Sequence, residues 1–254
     1  MLKLTKKSNS SLNKSFYEHL NDLRKFFIVS IIIYVIIFIS CFYFSQNIYF
    51  ILSQPLIKIL SKYNLPNNLI YTDITEVFIT NINIAFNSSL VIFFILFLPL
   101  LYIFLIPVFT KLEKKITKIF MILSPILFII GIIVSYMGSI FIWEFFIKFS
   151  FYIENLTFLP SISLYIKNII NIILLFGFIF QIPLLITILY LLKFINEKDI
   201  LRFSKYIILI AFIIGAVFTP PDPLSQIILA FIIIILYYIS YVFIYFIKKL
   251  IKEI

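Results

Sequence analysis

The chain has 254 residues, 63% of them hydrophobic and 13% charged, with a formal net charge of +10. Soluble domains run at about 45–50% apolar and about 25% charged, so this composition excludes an ordinary water-soluble globule. A single cysteine and a single histidine leave no basis for a disulfide framework or for a thiol or imidazole metal centre.

Residues 1–15 read as a polar tail, without the short apolar core of a secretory leader. Ser15-Phe16-Tyr17-Glu18 fits a capping box; Phe16, Leu20, Leu23 and Phe27 then share one helix face, opposite Glu18, Asp22 and Lys25. This pattern predicts an amphipathic helix along the membrane surface that turns into a first span near Phe26–Phe44. Ile48, Leu52, Leu56 and Ile59 recur at helical spacing around Pro55, which predicts a second interfacial helix on the opposite side. Further spans are predicted near Ile84–Leu105, Ile119–Phe141, Ile169–Leu192, Ile207–Phe218 and Leu224–Ile247. Most reach the ~20 residues that cross a hydrocarbon core. The fifth does not: its 12 apolar residues make about 18 Å of helix, so either protein shields it or the bilayer thins around it. Pro99, Pro125 and Pro183 should bend the spans that contain them. Thr219-Pro220-Pro221-Asp222-Pro223 is a rigid hairpin, with Pro223 suited to start the last helix. Four glycines in a chain this rich in Ile and Phe give little ground for close helix packing through small residues. No internal repeat or second domain is visible, so residues 1–254 read as one all-α membrane domain.

Seventeen of the 21 basic residues fall in four clusters at alternate gaps between the spans. They are Lys3 to Lys25, Lys111 to Lys118, Lys193 to Lys205, and Lys248 to Lys252. Only Lys58, Lys62, Lys148 and Lys167 fall on the other side. Acids are spread six to five between the two sides. A Lys/Arg bias of this kind sets orientation in a bilayer and predicts six crossings with both termini in the cytoplasm. The cations then border lipid, so the positive charge is not a sign of nucleic acid.

Few polar side chains remain for chemistry. His19 beside Glu18 has no partner for a metal site or a hydrolytic triad, and no Gly-rich phosphate loop is present, so enzymatic activity and cofactors are not expected. Asp22 and Glu113 are acids among lysines at the mouths of different helices. They could neutralise neighbours, a contribution of about 0–1 kcal/mol each, or be presented to a cationic ligand, for which arginine offers bidentate contacts. Gln181, two residues before Pro183, faces either a wet cavity or the backbone that the proline frees.

In order along the chain, several stretches resemble the TatC family, the multispanning receptor subunits of the twin-arginine protein translocase. His19-Leu20-Asn21-Asp22-Leu23-Arg24-Lys25 is similar to the family's H-L-x-E-L-R-x signature, and Ser53-Gln54-Pro55-Leu56 to its first outer loop. Phe104-Leu105-Ile106-Pro107 with Lys111-Leu112-Glu113-Lys114-Lys115 resembles the first inner loop. Phe180-Gln181-Ile182-Pro183 resembles the fourth span, and Phe218 to Gln226 the outer hairpin. The resemblance implies an all-helical, concave cup with a short fifth helix and interfacial helices. It also implies a bacterial inner-membrane or organellar location, and a receptor for paired-arginine signal peptides on folded cargo. Such receptors assemble with TatA- and TatB-type single-span partners and with copies of themselves, and draw on the proton-motive force. By this likeness Asp22, Arg24, Phe104 and Glu113 would bind the signal peptide. Gln181, Thr219, Pro220, Pro221, Asp222 and Gln226 would belong to the partner-facing wall, and Pro55 to the outer loop. The rival from another class, a small-solute or ion carrier, calls for midplane charges or repeat symmetry, which this sequence lacks.

Overall fold

The computed structural model describes residues 16–66, 68–71, 73–105, 111–151, 159–218 and 223–252. Among these residues eight helices follow in chain order: α1 (Phe16–Tyr43), α2 (Ser45–Lys62), α3 (Glu76–Leu105), α4 (Lys111–Ser150), α5 (Ile162–Ile179), α6 (Ile182–Leu191), α7 (Glu197–Phe218) and α8 (Pro223–Lys252). Among the described residues the sole β pairing is an isolated bridge between Ile70 and Ser161. Among the described residues six stretches are long and apolar enough to cross a membrane, α5 and α6 together making the fourth. The fold is an all-α, multi-pass membrane bundle.

Neighbouring helices run antiparallel, and ring contacts show it. Phe26 of α1 meets Phe97 of α3, while Tyr34 further along α1 meets Phe86 further back on α3. Tyr102 pairs with Phe120 and Phe94 with Phe128, so α3 and α4 are opposed; Phe128 with Phe178 and Trp143 with Tyr165 oppose α4 and α5. The fourth span is the centre of the bundle, with 67% of it buried within the protein against 11% of the first span and 17% of the fifth. On the outward faces of α1 and α7, Ile31, Val35, Ile39, Leu209, Ile213 and Val217 are exposed, as lipid-facing residues are.

Two expectations need correction. The N-terminal helix does not turn into the first span: α1 is unbroken from Phe16 to Tyr43. No Gly or Pro interrupts it, so nothing stops the hydrogen-bond ladder from propagating. The fifth span is not a 12-residue helix, because α7 has 22 residues, about 33 Å. What is short is its apolar part, since the charged turns after Glu197 are helical too. This chain itself covers little of it, since most of α7 is exposed. The prolines also differ in effect. Pro183 separates α5 from α6, whereas α3 and α4 continue through Pro99 and Pro125. At the break, the Gln181 N–H bonds Phe178 O at 2.9 Å in a tightened turn before helix resumes.

Helix α2 forms as its spacing predicts. Leu52, Leu56, Ile59 and Leu60 are buried against Ile84, Ile147, Ile166 and Ile169 in one core cluster. Pro55 removes the N–H that Ile51 O would accept, and the Tyr136 hydroxyl of α4 donates to that oxygen at 2.8 Å. The Tyr165 hydroxyl donates to Leu52 O at 2.8 Å, so two tyrosines fasten α2 to α4 and α5.

Candidate functional site

Antiparallel order brings the starts of α1, α4 and α7 and the ends of α3, α6 and α8 to one end of the bundle. Arg24, Lys25, Lys114, Lys115, Lys118, Lys198, Arg202 and Lys248 are therefore gathered on that face, on helix termini separated in sequence. Asp22 belongs to the second turn of α1, Phe104 to the last turn of α3, and Glu113 to the first turn of α4, so their backbones share this end. Their side chains lie outside the described residues. Arg24 is exposed.

The same face is tied together by an ion pair. Lys248 of α8 reaches Glu197 of α7 at 2.7 Å, and the Tyr190 hydroxyl of α6 donates to that carboxylate at 3.3 Å. Asp199 accepts the Asn196 N–H at 2.9 Å and so closes the first turn of α7.

The opposite end has its own polar clasps. Glu144 accepts from Lys62 at 2.8 Å, from the Tyr63 hydroxyl at 2.9 Å, and pairs with Lys148 at 3.1 Å, which fixes the end of α2 to α4. The Glu76 carboxylate, at the start of α3, takes hydrogen bonds from the Ser161 and Ser163 hydroxyls at 2.9 and 2.6 Å and from the Ser163 N–H. An acid here satisfies donors at the N-terminus of α5 and faces the positive end of its dipole. The Ile162 N–H is taken by Ile70 O at 3.0 Å, so the loop after α2 completes the cap.

Gln181 and Ser124 are 3% and 0% exposed. The Ser124 hydroxyl donates to the Gln181 carboxamide oxygen at 2.7 Å, and the Gln181 amide donates back to Ser124 O at 3.1 Å. The pair ties α4 to the break between α5 and α6. Gln226 sits where α8 meets α7: its amide donates to Phe212 O at 3.0 Å, beside Gly215. Thr219, Pro220, Pro221 and Asp222 lie outside the described residues.

A family model described as Sec-independent protein translocase protein (TatC) matches residues 18–232. The chain belongs to the TatC family. A TatC protein of Rickettsia prowazekii (strain Madrid E) is 36% identical over 238 residues, covering 92% of this chain and 94% of that one. Its counterpart in Escherichia coli (strain K12) is 30% identical over 212 residues, covering 84% and 81%. A crystal structure of the twin-arginine translocase receptor TatC in DDM superposes with a TM-score of 0.78 at 29% identity, covering 89% of this chain and 99% of that one.

Sequence reasoning singled out several of the residues that the TatC family match contains, but not their partners. Ser124 immediately precedes Pro125, as Gln181 closely precedes Pro183, and polar residues beside span prolines are the signal that could have paired them. Glu144 and Lys148 stand at the i, i+4 spacing that predicts an ion pair. Glu76 gave no such signal, because its serine partners follow 85 and 87 residues later.

Proposed function

We propose that this chain is the signal-peptide receptor and core subunit of a twin-arginine translocase, with both termini in the cytoplasm of a bacterial inner membrane. The observation that carries the reading is the shared end of the bundle. Asp22, Phe104 and Glu113 stand on three different helix termini there, among the basic clusters of a TatC-family chain. Two carboxylates on a membrane surface suit two guanidinium groups, because Arg binds carboxylate in a planar, bidentate fork that Lys cannot reproduce. The surrounding cations repel generic basic peptides and leave selectivity to that geometry.

In this reading the chain is a single membrane domain, works without a catalytic centre, and recruits TatA- and TatB-type single-span proteins along exposed apolar helices. Arg24 lies beside the peptide, and the Thr219–Asp222 hairpin, Pro55 and Gln226 shape the outer side of a concave wall. The test is binding of a paired-arginine signal peptide to the purified protein, against a paired-lysine control. Glu113→Lys should abolish binding while membrane insertion is unchanged. Undiminished cross-linking of that variant to the peptide would overturn the site assignment.

A further inference from the structure

The seam between α3 and α5 is polar on its open side. Glu76, Asn83, Asn87 and Phe94 follow at i, i+7, i+11 and i+18, so they share one face of α3. Ser163, Lys167, Asn171 and Phe178 follow at i, i+4, i+8 and i+15 and share one face of α5. The two faces meet above and below. Glu76 takes the Ser163 hydroxyl at 2.6 Å, and the Phe94 and Phe178 ring centres are 4.6 Å apart. Between these contacts Asn83 and Asn87 stand across the seam from Lys167 and Asn171.

Asn83, Lys167 and Asn171 are exposed. Among the described residues Lys167 makes no ion pair, and the Asn83 and Asn171 side chains make no hydrogen bond. The Asn87 amide donates to Asn83 O at 2.8 Å, inside its own helix. The described acids of this end already hold donors of their own chain: Asp73 the Thr75 N–H, Glu76 the two serines, and Glu144 Lys62, Tyr63 and Lys148. None of them is left to neutralise Lys167, here or from a second copy.

Depth separates the remaining partners. The second span, Glu76–Ile103, has 28 residues and the fourth, Ile162–Leu191, has 30, which make helices of about 42 and 45 Å. Centred on a core of ~30 Å, they put the outer boundary near Lys167, with Asn171 about 6 Å and Asn87 about 10 Å below it. Lysine at the boundary reaches toward water along its own stem. The shorter amides cannot, and polar groups at such depth face protein or a wet cavity rather than acyl chains. A lipid headgroup would neutralise Lys167 but leave Asn87 and Asn171 against its tails. A helix with a carboxylate at the boundary and an amide or hydroxyl a turn or two deeper satisfies all three.

We propose that the α3–α5 seam docks a membrane-spanning helix of another polypeptide, which brings an Asp or Glu carboxylate to Lys167 and a polar side chain to Asn87 and Asn171. Interhelical hydrogen bonds can hold such a pair together in lipid, where apolar burial gives no advantage. The seam lies in the outer half of the bundle, away from Asp22 and Glu113, and the inference does not rest on the receptor reading.

The test uses the full-length protein in nanodiscs of phosphatidylcholine and phosphatidylglycerol, with benzoylphenylalanine replacing the exposed Leu164 on α5. The probe is a Leu/Ala helix of ~20 residues with Glu near each end and Asn one turn further in, so that either orientation presents the pair. Matched helices carry Leu or Lys in place of Glu. Photo-crosslinking of the Glu helix should exceed that of the Leu helix about three- to tenfold, the range for hydrogen bonds between membrane helices. Benzoylphenylalanine at the exposed Val35 on α1 should not distinguish them. Lys167→Gln should remove the excess, and Lys167→Glu should transfer it to the Lys helix, a gain that a misfolded variant would not show. Asn87→Leu with Asn171→Leu should lower the yield of the Glu helix. Binding of a paired-arginine peptide to the same nanodiscs should be unchanged by Lys167→Gln and reports on the receptor reading separately. Equal yields from the Glu and Leu helices, an excess that survives Lys167→Gln, a yield indifferent to the two asparagines, or adducts with phosphatidylglycerol in place of the helix would overturn the proposal.

Discussion

Gly131→Ala should destabilise the bundle, and Gly138→Ala on the same helix should not. A Cβ at Gly131 would stand 2.6 Å from Phe176 O, 3.0 Å from Phe176 C and 3.1 Å from the Gly177 Cα. All three are backbone atoms of α5, so no rotamer change relieves the clash. Ordinary contact begins at 3.4 Å, so α4 and α5 must part by about 0.8 Å, an overpacking whose cost is about 1–3 kcal/mol. The damage would spread, because Gly177 in turn lies against the fully buried Phe128 ring, whose Cζ is 2.7 Å from where a Gly177 Cβ would be. At Gly138 a Cβ meets nothing within 4 Å. Both substitutions gain the same helix propensity, roughly 1 kcal/mol, so the difference between the variants isolates the crossing. Unfolding titrations in mild detergent should therefore place Gly131→Ala below Gly138→Ala by about 1–3 kcal/mol. A Gly131→Ala protein as stable as Gly138→Ala would refute the close crossing of α4 and α5.

Tyr136→Phe should cost about 0.5–1.5 kcal/mol by removing the hydrogen bond to Ile51 O. The loss should shrink in a Pro55→Ala background, where a restored N–H takes that oxygen; equal losses in both backgrounds would discard the explanation. Ser124→Ala should destabilise by about 0.5–2 kcal/mol, the range for hydrogen bonds between membrane helices. Pairing it with Gln181→Leu should cost less than the two separately, and strict additivity in a double-mutant cycle would show that the pair is not coupled. Glu144→Gln should speed amide deuterium exchange at Tyr63 and Asn64, since the Lys62, Tyr63 and Lys148 contacts converge on that carboxylate; unchanged exchange would mean that apolar burial alone holds the end of α2.

The six crossings were legible because lipid imposes them: apolar length and the alternation of lysine clusters are local properties of the chain. Helix α2 was legible for the same reason, as Leu52, Leu56 and Ile59 repeat within a few turns. The length of α7 was not, because hydropathy marks where lipid begins and not where the helix does. Nor was the course of α1, since an amphipathic start followed by an apolar run fits a straight helix as well as a turned one. The close crossings were hidden by composition: glycines are scarce, yet Gly131, Gly177 and Gly215 each stand at a contact that a Cβ would crowd. Which glycine meets a neighbouring backbone depends on how two helices cross, and no single helix carries that information.

Several of the residues carrying the family likeness serve hydrogen bonds that tie one helix to another. Pro55 frees a carbonyl that Tyr136 must satisfy. Gln181 stands at the break before Pro183 and is matched at both polar ends by Ser124. Gln226 bridges to Phe212 O where Gly215 lets α7 and α8 approach. Each of these positions has a structural task sufficient to explain a severe mutant without any contact to cargo. Loss of transport on changing Gln181 or Gln226 is therefore ambiguous until stability is measured beside it. Glu113 differs, since reversing its charge in the first turn of α4 changes the field at the cation-rich face while leaving these three contacts between helices untouched. Peptide binding at Glu113, read together with unaltered unfolding, is thus the measurement that separates recognition from architecture.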